Sequence, residues 1–160
     1  DGSGIDGQIG ASAVLYRHGV EKASLRLHLG SSAHHTVFEG EGVGGTLALA
    51  LLRREEDVTG GVTIVVDSQP AVNATRALAS TPSHWIWDAW HVEAQSFARS
   101  HPNAQVKVRW APGHKGIAGN ERADVEAKRA AQRGDSSPPA AIPAALRGVL
   151  PWSKSAVRQD

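Results

Sequence analysis

The stretch Pro112-Gly113-His114-Lys115-Gly116-Ile117-Ala118-Gly119-Asn120-Glu121-Arg122-Ala123-Asp124 sets one histidine in a glycine-rich loop that runs into a helix. Histidine exchanges protons near neutral pH, and Asp124 falls in the expected first turn of that helix. A proton carrier beside a carboxylate suits hydrolytic chemistry with a metal. The competing reading is a surface histidine on a turn and an acid that favours the helix dipole. Two upstream acids extend the pattern. Asp67 ends the run Val62-Thr63-Ile64-Val65-Val66, and open α/β sheets bind ligands at the carboxyl ends of their strands. It is equally suited to cap the next helix. Glu41 lies in Glu39-Gly40-Glu41-Gly42-Val43-Gly44-Gly45. A glycine inside a helix costs about 1 kcal/mol relative to alanine, so this cluster points to close backbone approach or a frayed first turn. Glu41 or Glu39 can then face a site, or simply favour the dipole. At the start, Asp1-Gly2-Ser3-Gly4 pairs an acid with small residues that would let a phosphate backbone come near. The other seven histidines, at 18, 28, 34, 35, 84, 91 and 101, read as surface or interface residues without zinc spacing.

The elements that must position these groups follow from periodicity. Residues 9–17 read as a mostly buried strand, His18-Gly19 as a turn, and 22–29 as an alternating strand, together a hairpin. A helix is expected over 41–56. The β-branched run 62–66 reads as a central parallel strand covered on both faces. Pro70 marks the start of a helix over about 70–79, and Ser83 to Ser100 forms another. Residues 105–110 alternate as a strand, and Asn120 is the expected N-cap of a helix over 121–133. The order β-β-β(short)-α-β-α-α-β-α describes an α/β sandwich with a mixed sheet, an antiparallel meander followed by parallel crossovers. Four of the eight prolines fall in the last 27 residues. A domain over 1–133 followed by a Pro-rich linker and C-terminal arm over 134–160 is expected, with Leu146, Val149, Leu150 and Trp152 docking on the body.

Composition bounds the function. A 160-residue chain that is 41% hydrophobic can form one domain with a real core. No cysteine means no disulfide, thiol nucleophile or Cys-type zinc site. No apolar run approaches a membrane span and no signal pattern opens the chain, so no membrane partner and an intracellular setting, cytoplasm or nucleus, are expected. No methionine occurs, which points to a segment of a longer polypeptide. The net charge is +1, yet seven Lys/Arg stand against three acids between Lys107 and Arg133. A basic zone beside an acidic cluster suits a polyanion held near metal ions; an ordinary solvated helix face is the plain alternative.

Taken together, Asp1-Gly2-Ser3, His35-Thr36-Val37-Phe38-Glu39-Gly40-Glu41, Val65-Val66-Asp67-Ser68-Gln69 and Trp110 to Asp124 with Ala127-Lys128 resemble the ribonuclease H family, most of all the RNase H domains of fungal retrotransposon reverse-transcriptase polyproteins. The resemblance runs from residue 1 to about 133. It implies an RNase H-like α/β fold with a mixed five-stranded sheet flanked by helices. It also implies that Asp1, Glu41, Asp67 and Asp124 are metal-binding carboxylates, Glu41 rather than Glu39 being the family acid. His114 matches the family's mobile histidine, which assists proton transfer and product release. Ser3, Ser68 and Gln69 match positions near the backbone or minor groove of an RNA/DNA hybrid.

The implied activity is endonucleolytic cleavage of the RNA strand of such hybrids, leaving 5′-phosphate and 3′-hydroxyl ends. Phosphodiester hydrolysis needs an activated water, a stabilised pentacoordinate charge and a neutralised leaving oxygen. Four carboxylates holding two Mg²⁺ about 3.5–4 Å apart can serve all three, and Mn²⁺ can substitute. Strand choice would come from 2′-hydroxyl contacts. A linked reverse transcriptase is the expected partner. The alternatives are a catalytically impaired RNase H-like module that binds nucleic acid or serves structure, and another nuclease or recombinase on the same fold.

Overall fold

The computed structural model describes residues 1–76, 84–113 and 115–157. Five strands and five helices follow one another as β1 (Gly2–Ile5), β2 (Gln8–Arg17), β3 (Val20–Ser31), α1 (Val37–Arg53), β4 (Gly60–Val66), α2 (Gln69–Arg76), α3 (His84–Ser100), β5 (Ala104–Trp110), α4 (Ala118–Arg133) and α5 (Lys154–Val157). The expected α/β class and element order stand, but the short strand comes first rather than third. Its turn is Asp6-Gly7, both residues at positive φ, the dipeptide best suited to a two-residue hairpin. His18-Gly19 makes the next turn in the same way.

The strands form two hydrogen-bonded groups. One is the antiparallel meander β1-β2-β3, in which Gly2 faces Ala11 and Ala13 faces Leu25. The other is the parallel pair β4-β5, running from Gly60 opposite Ala104 to Val66 opposite Trp110. Among the described residues no ladder joins the two groups. The meander is covered on both faces, by α1 on one and α4 on the other. Helix α4 comes close because its inner face is Ala127, Ala130 and Ala131, all buried. Strand β4 differs from its expected two-sided burial: Ile64 and Val66 are buried, whereas Thr63 and Val65 are exposed. A β-branched run does not distinguish a strand covered twice from one covered once.

Helix α1 begins four residues earlier than expected. Thr36 accepts from the Glu39 N–H at 3.2 Å and the Glu39 carboxylate accepts from the Thr36 N–H at 2.7 Å, a reciprocal capping box. The glycines do not fray the helix, because they face tight neighbours on two sides. A Cβ on Gly44 would lie 2.6 Å from the Asp1 nitrogen, and one on Gly42 would lie 2.5 Å from Ile86 of α3. Packing on both sides outweighs the intrinsic cost of about 1 kcal/mol per glycine.

Helix α4 also starts early, at Ala118. Ile117 holds the N-cap position without a side-chain bond, so Asn120 lies inside the helix and Asp124 in its second turn. After Gly134, residues 136 and 137 cover the outer edge of β3: the Ser137 N–H donates to the Arg26 carbonyl at 2.9 Å and the Ser136 hydroxyl accepts from the His28 N–H at 2.9 Å. Farther on, Ile142, Leu146 and Leu150 enter the core, whereas Val149 is exposed. Trp152 stacks on His34 with ring centroids 3.8 Å apart. His35 departs from the surface reading: it is buried, its Nδ1 3.6 Å from a Glu39 carboxylate oxygen. No helix among the described residues is long and apolar enough to cross a membrane.

Candidate metal centre

Strand β4 places Asp67 at its carboxyl end, beside the point where β1 starts. The N–H of Ala111 donates to the Val66 carbonyl at 2.9 Å and the Trp110 indole N–H donates to the Asp67 carbonyl at 3.1 Å, so the end of β5 fixes the backbone that carries the carboxylate. Capping of α2 falls to the next residue, since the Ser68 hydroxyl accepts from the Ala71 N–H at 3.3 Å. That leaves the Asp67 carboxylate free of the capping role. A Cβ on Gly113 would sit 2.6 Å from Asp67 Oδ2, so only glycine lets the following loop pass that close.

Glu41 enters from α1. Its Oε1 accepts from the Gly2 N–H at 3.0 Å, which ties the helix to the first residues of β1. A Cβ on Gly2 would lie 2.5 Å from the Glu41 nitrogen, so the small residues after Asp1 serve the approach of α1. Glu39 is spent on the capping box, which separates the two glutamates by role. Asp1 is aligned by exchange of both backbone bonds with Ser12, each at 2.9 Å.

Asp1, Glu41 and Asp67 therefore converge: one carboxylate oxygen from each lies within 4.8 Å of the others. Glu41 is buried, and its Oε2 has no hydrogen-bond partner. Burial pushes its carboxyl above the ordinary range; the Asp1 ammonium pulls it down, the Asp67 charge pushes it up again and the Gly2 bond lowers it, with a net rise. An unpaired buried carboxylate oxygen beside two more acids is costly without a cation. A set made only of hard oxygens fits a divalent ion such as Mg²⁺.

The remaining expected site residues are distributed unevenly. Asp124 stands outside the trio, its Oδ2 held by Lys128 Nζ at 2.5 Å. His114 lies outside the described residues. Ser3 is buried within β1, and Ser68 is engaged in the α2 cap. Gln69 is exposed and donates to the Asn73 side chain at 3.2 Å. Sequence reasoning gave no role to Trp110, which is 47% exposed beside Asp67. Its place at the end of an alternating strand was the signal available. Lys128, one turn after Asp124, was likewise readable as an i,i+4 partner.

Three α/β layers with a carboxylate trio at a strand's carboxyl end define a protein built to hold a hard cation beside a polar substrate. A family model described as RNase H matches residues 1–132, and the chain belongs to the RNase H family. The family's general activity is hydrolysis of RNA in RNA/DNA hybrids. No curated protein matches the chain.

Proposed function

We propose that this chain is an endonuclease that cleaves the RNA strand of RNA/DNA hybrids by two-metal-ion hydrolysis. The convergence of Asp1, Glu41 and Asp67 carries the reading. When bound, two Mg²⁺ or Mn²⁺ ions would supply water activation and neutralisation of the leaving 3′ oxygen. The protein's own part is to hold and orient. Asp1 and Asp67 offer carboxylates from adjoining strand ends, and Glu41 offers an unpartnered oxygen from a buried helix. Asp124 is the fourth ligand in this proposal and must exchange its Lys128 partner to serve. His114, by its resemblance to the family's mobile histidine, moves a proton and helps release product. Gln69, together with Ser3 and Ser68, is assigned to the hybrid's backbone. Residues 1–133 form the catalytic unit and 134–160 an arm. The motif resemblance supports an origin in a retroelement polyprotein with a linked reverse transcriptase.

A hybrid labelled in its RNA strand tests this. With Mg²⁺ the wild type should cut the RNA, leaving 5′-phosphate ends, and Asp67→Asn should lower the rate by about 100-fold or more, a loss on the order of 3 kcal/mol in barrier. Equal rates in both proteins would sink the proposal. A second reading, a module that binds hybrid without cutting, is favoured by the Lys128 hold on Asp124. Tight hybrid binding with no cleavage in either metal would establish it instead.

A further inference from the structure

The two groups of strands face each other across a cleft of about 600 Å³. One wall is β2 from Ser12 to Arg17 and the other is β4 from Gly61 to Val66. The backbone directions can be read from the ladders. Ser12 exchanges both of its bonds with Asp1, and Ala13 pairs toward β3. In an antiparallel strand successive residues turn their N–H and C=O to opposite sides, so those of Val14 turn into the cleft. On the opposite wall, the Gly60 N–H bonds to Asn103 and the Val66 carbonyl to Ala111, both of the β5 side. Even-numbered residues of β4 thus serve β5, and Gly61, Thr63 and Val65 turn their backbone groups into the same cleft.

Two unpaired strand edges facing each other are unusual, because folded proteins cover or blunt such edges. This chain does cover its other meander edge, where residues 136 and 137 lie on β3. The cleft is also prepared for side chains. On the α1 side it is lined by Gly44, Ala48 and Leu51, and on the α4 side by Ile117 and Ala123.

We propose that this cleft is the seat of a strand: an extended segment of about five or six residues running into Asp1, antiparallel to β2, that joins the two strand groups into one sheet. The register fixes the occupant. Asp1 is already paired opposite Ser12, and its nitrogen lies at the cleft, so polypeptide continued from that nitrogen meets Val14 two residues on. Apolar lining on both sides selects an apolar, β-branched segment rather than an alternating one. The proposal stands apart from the nuclease reading, since it concerns backbone pairing alone.

Amide hydrogen exchange tests it. Three proteins are compared: the 160-residue chain, the chain preceded by six β-branched residues, and the chain preceded by six Gly/Ser residues. The β-branched extension should slow exchange at Val14, Gly61, Thr63 and Val65 by about 100-fold and raise Tm, while the Gly/Ser extension changes neither. Thr63→Pro should abolish the gain in the extended protein yet leave the 160-residue chain folded, because proline is tolerated on an open edge. Fast exchange at these amides in the β-branched protein would overturn the proposal. So would equal protection by the Gly/Ser segment. Protection that is present without any extension and grows with protein concentration would assign the cleft to a second copy instead.

Discussion

The meander and the parallel pair are built from similar residues but finished to different degrees. The meander is sealed, with α1 and α4 on its faces and the C-terminal arm on its outer edge. The pair β4-β5 buries one face of β4 and leaves Thr63 and Val65 in solvent. Charge follows the same division. Arg26 on β3 binds Glu126 of α4 at 2.8 Å and Asp135 at 2.9 Å, while among the described residues no ion pair involves a side chain of β4 or β5. The metal centre lies where the two halves meet, with Asp1 and Glu41 from the sealed half and Asp67 from the open one. A rigid side thus holds two ligands, and the third depends on a strand that has fewer constraints.

The largest test of this contrast is a pair of truncations. Leu47 is fully buried on α1, and Leu47→Ala should cost about 3–4 kcal/mol by transfer and cavity together. Val65 is 44% exposed on β4, and Val65→Ala should cost less than about 0.5 kcal/mol. Urea unfolding reads both. Similar losses at the two sites would erase the distinction between the halves.

Next in size is a backbone clash. A Cβ on Gly10 would meet the Ala127 carbonyl oxygen and lie 2.5 Å from the Ala131 nitrogen. Neither is a flexible side chain. Gly10→Ala should therefore cost about 2–3 kcal/mol as α4 is pushed off the meander, read as a drop in the urea midpoint with an unchanged slope.

Much of this contrast was legible in sequence and part was not. The hairpin at His18-Gly19, the alanine face of α4 and the clustered acids each follow from local chemistry. The Thr36–Glu39 capping box was also present, but the glycines after it argued for a later start. They are explained only by tertiary neighbours: strand backbone on one side, and Ile86 and Trp87 on the other. Asp6-Gly7 announced the first hairpin, although a four-residue strand is too short to show a period. The one-sided burial of β4 had no sequence signal at all, since the run 62–66 is equally apolar at covered and uncovered positions. The same limit applies to Asp124. Its spacing from the histidine loop was clear, but its capture by Lys128 depends on where α4 begins.

A pH titration sharpens the charge side of the comparison. Burial pushes the Glu126 carboxyl up, but the bonds from Arg122 and Arg26 outweigh burial and hold it below the ordinary range. A carboxyl depressed in the folded state stabilises the fold above its unfolded pKa, and that contribution is lost as pH falls through the folded pKa. Wild type should exceed Glu126→Gln in stability by about 1–2 kcal/mol near neutral pH. The two should converge as the medium is taken below the ordinary carboxylate range, measured by Tm across pH. A gap that stays constant would mean that packing, not charge, ties α4 to β3.

The smallest expected effect probes the open half directly. Gly61 has nothing within 4 Å of a would-be Cβ, and its backbone is outside the left-handed region. Alanine there adds no clash and reduces the freedom of the unfolded chain, so Gly61→Ala should stabilise by about 0.4–1 kcal/mol. In a chain of this size that corresponds to a Tm rise of about 1–4 °C. The sign matters more than the size. A fall in Tm would show that something covers the outer face of β4 after all, and a rise would place the same substitution that cripples Gly10 on the favourable side at Gly61. One change of residue type with opposite outcomes would then separate a face closed by the fold from one that is still open.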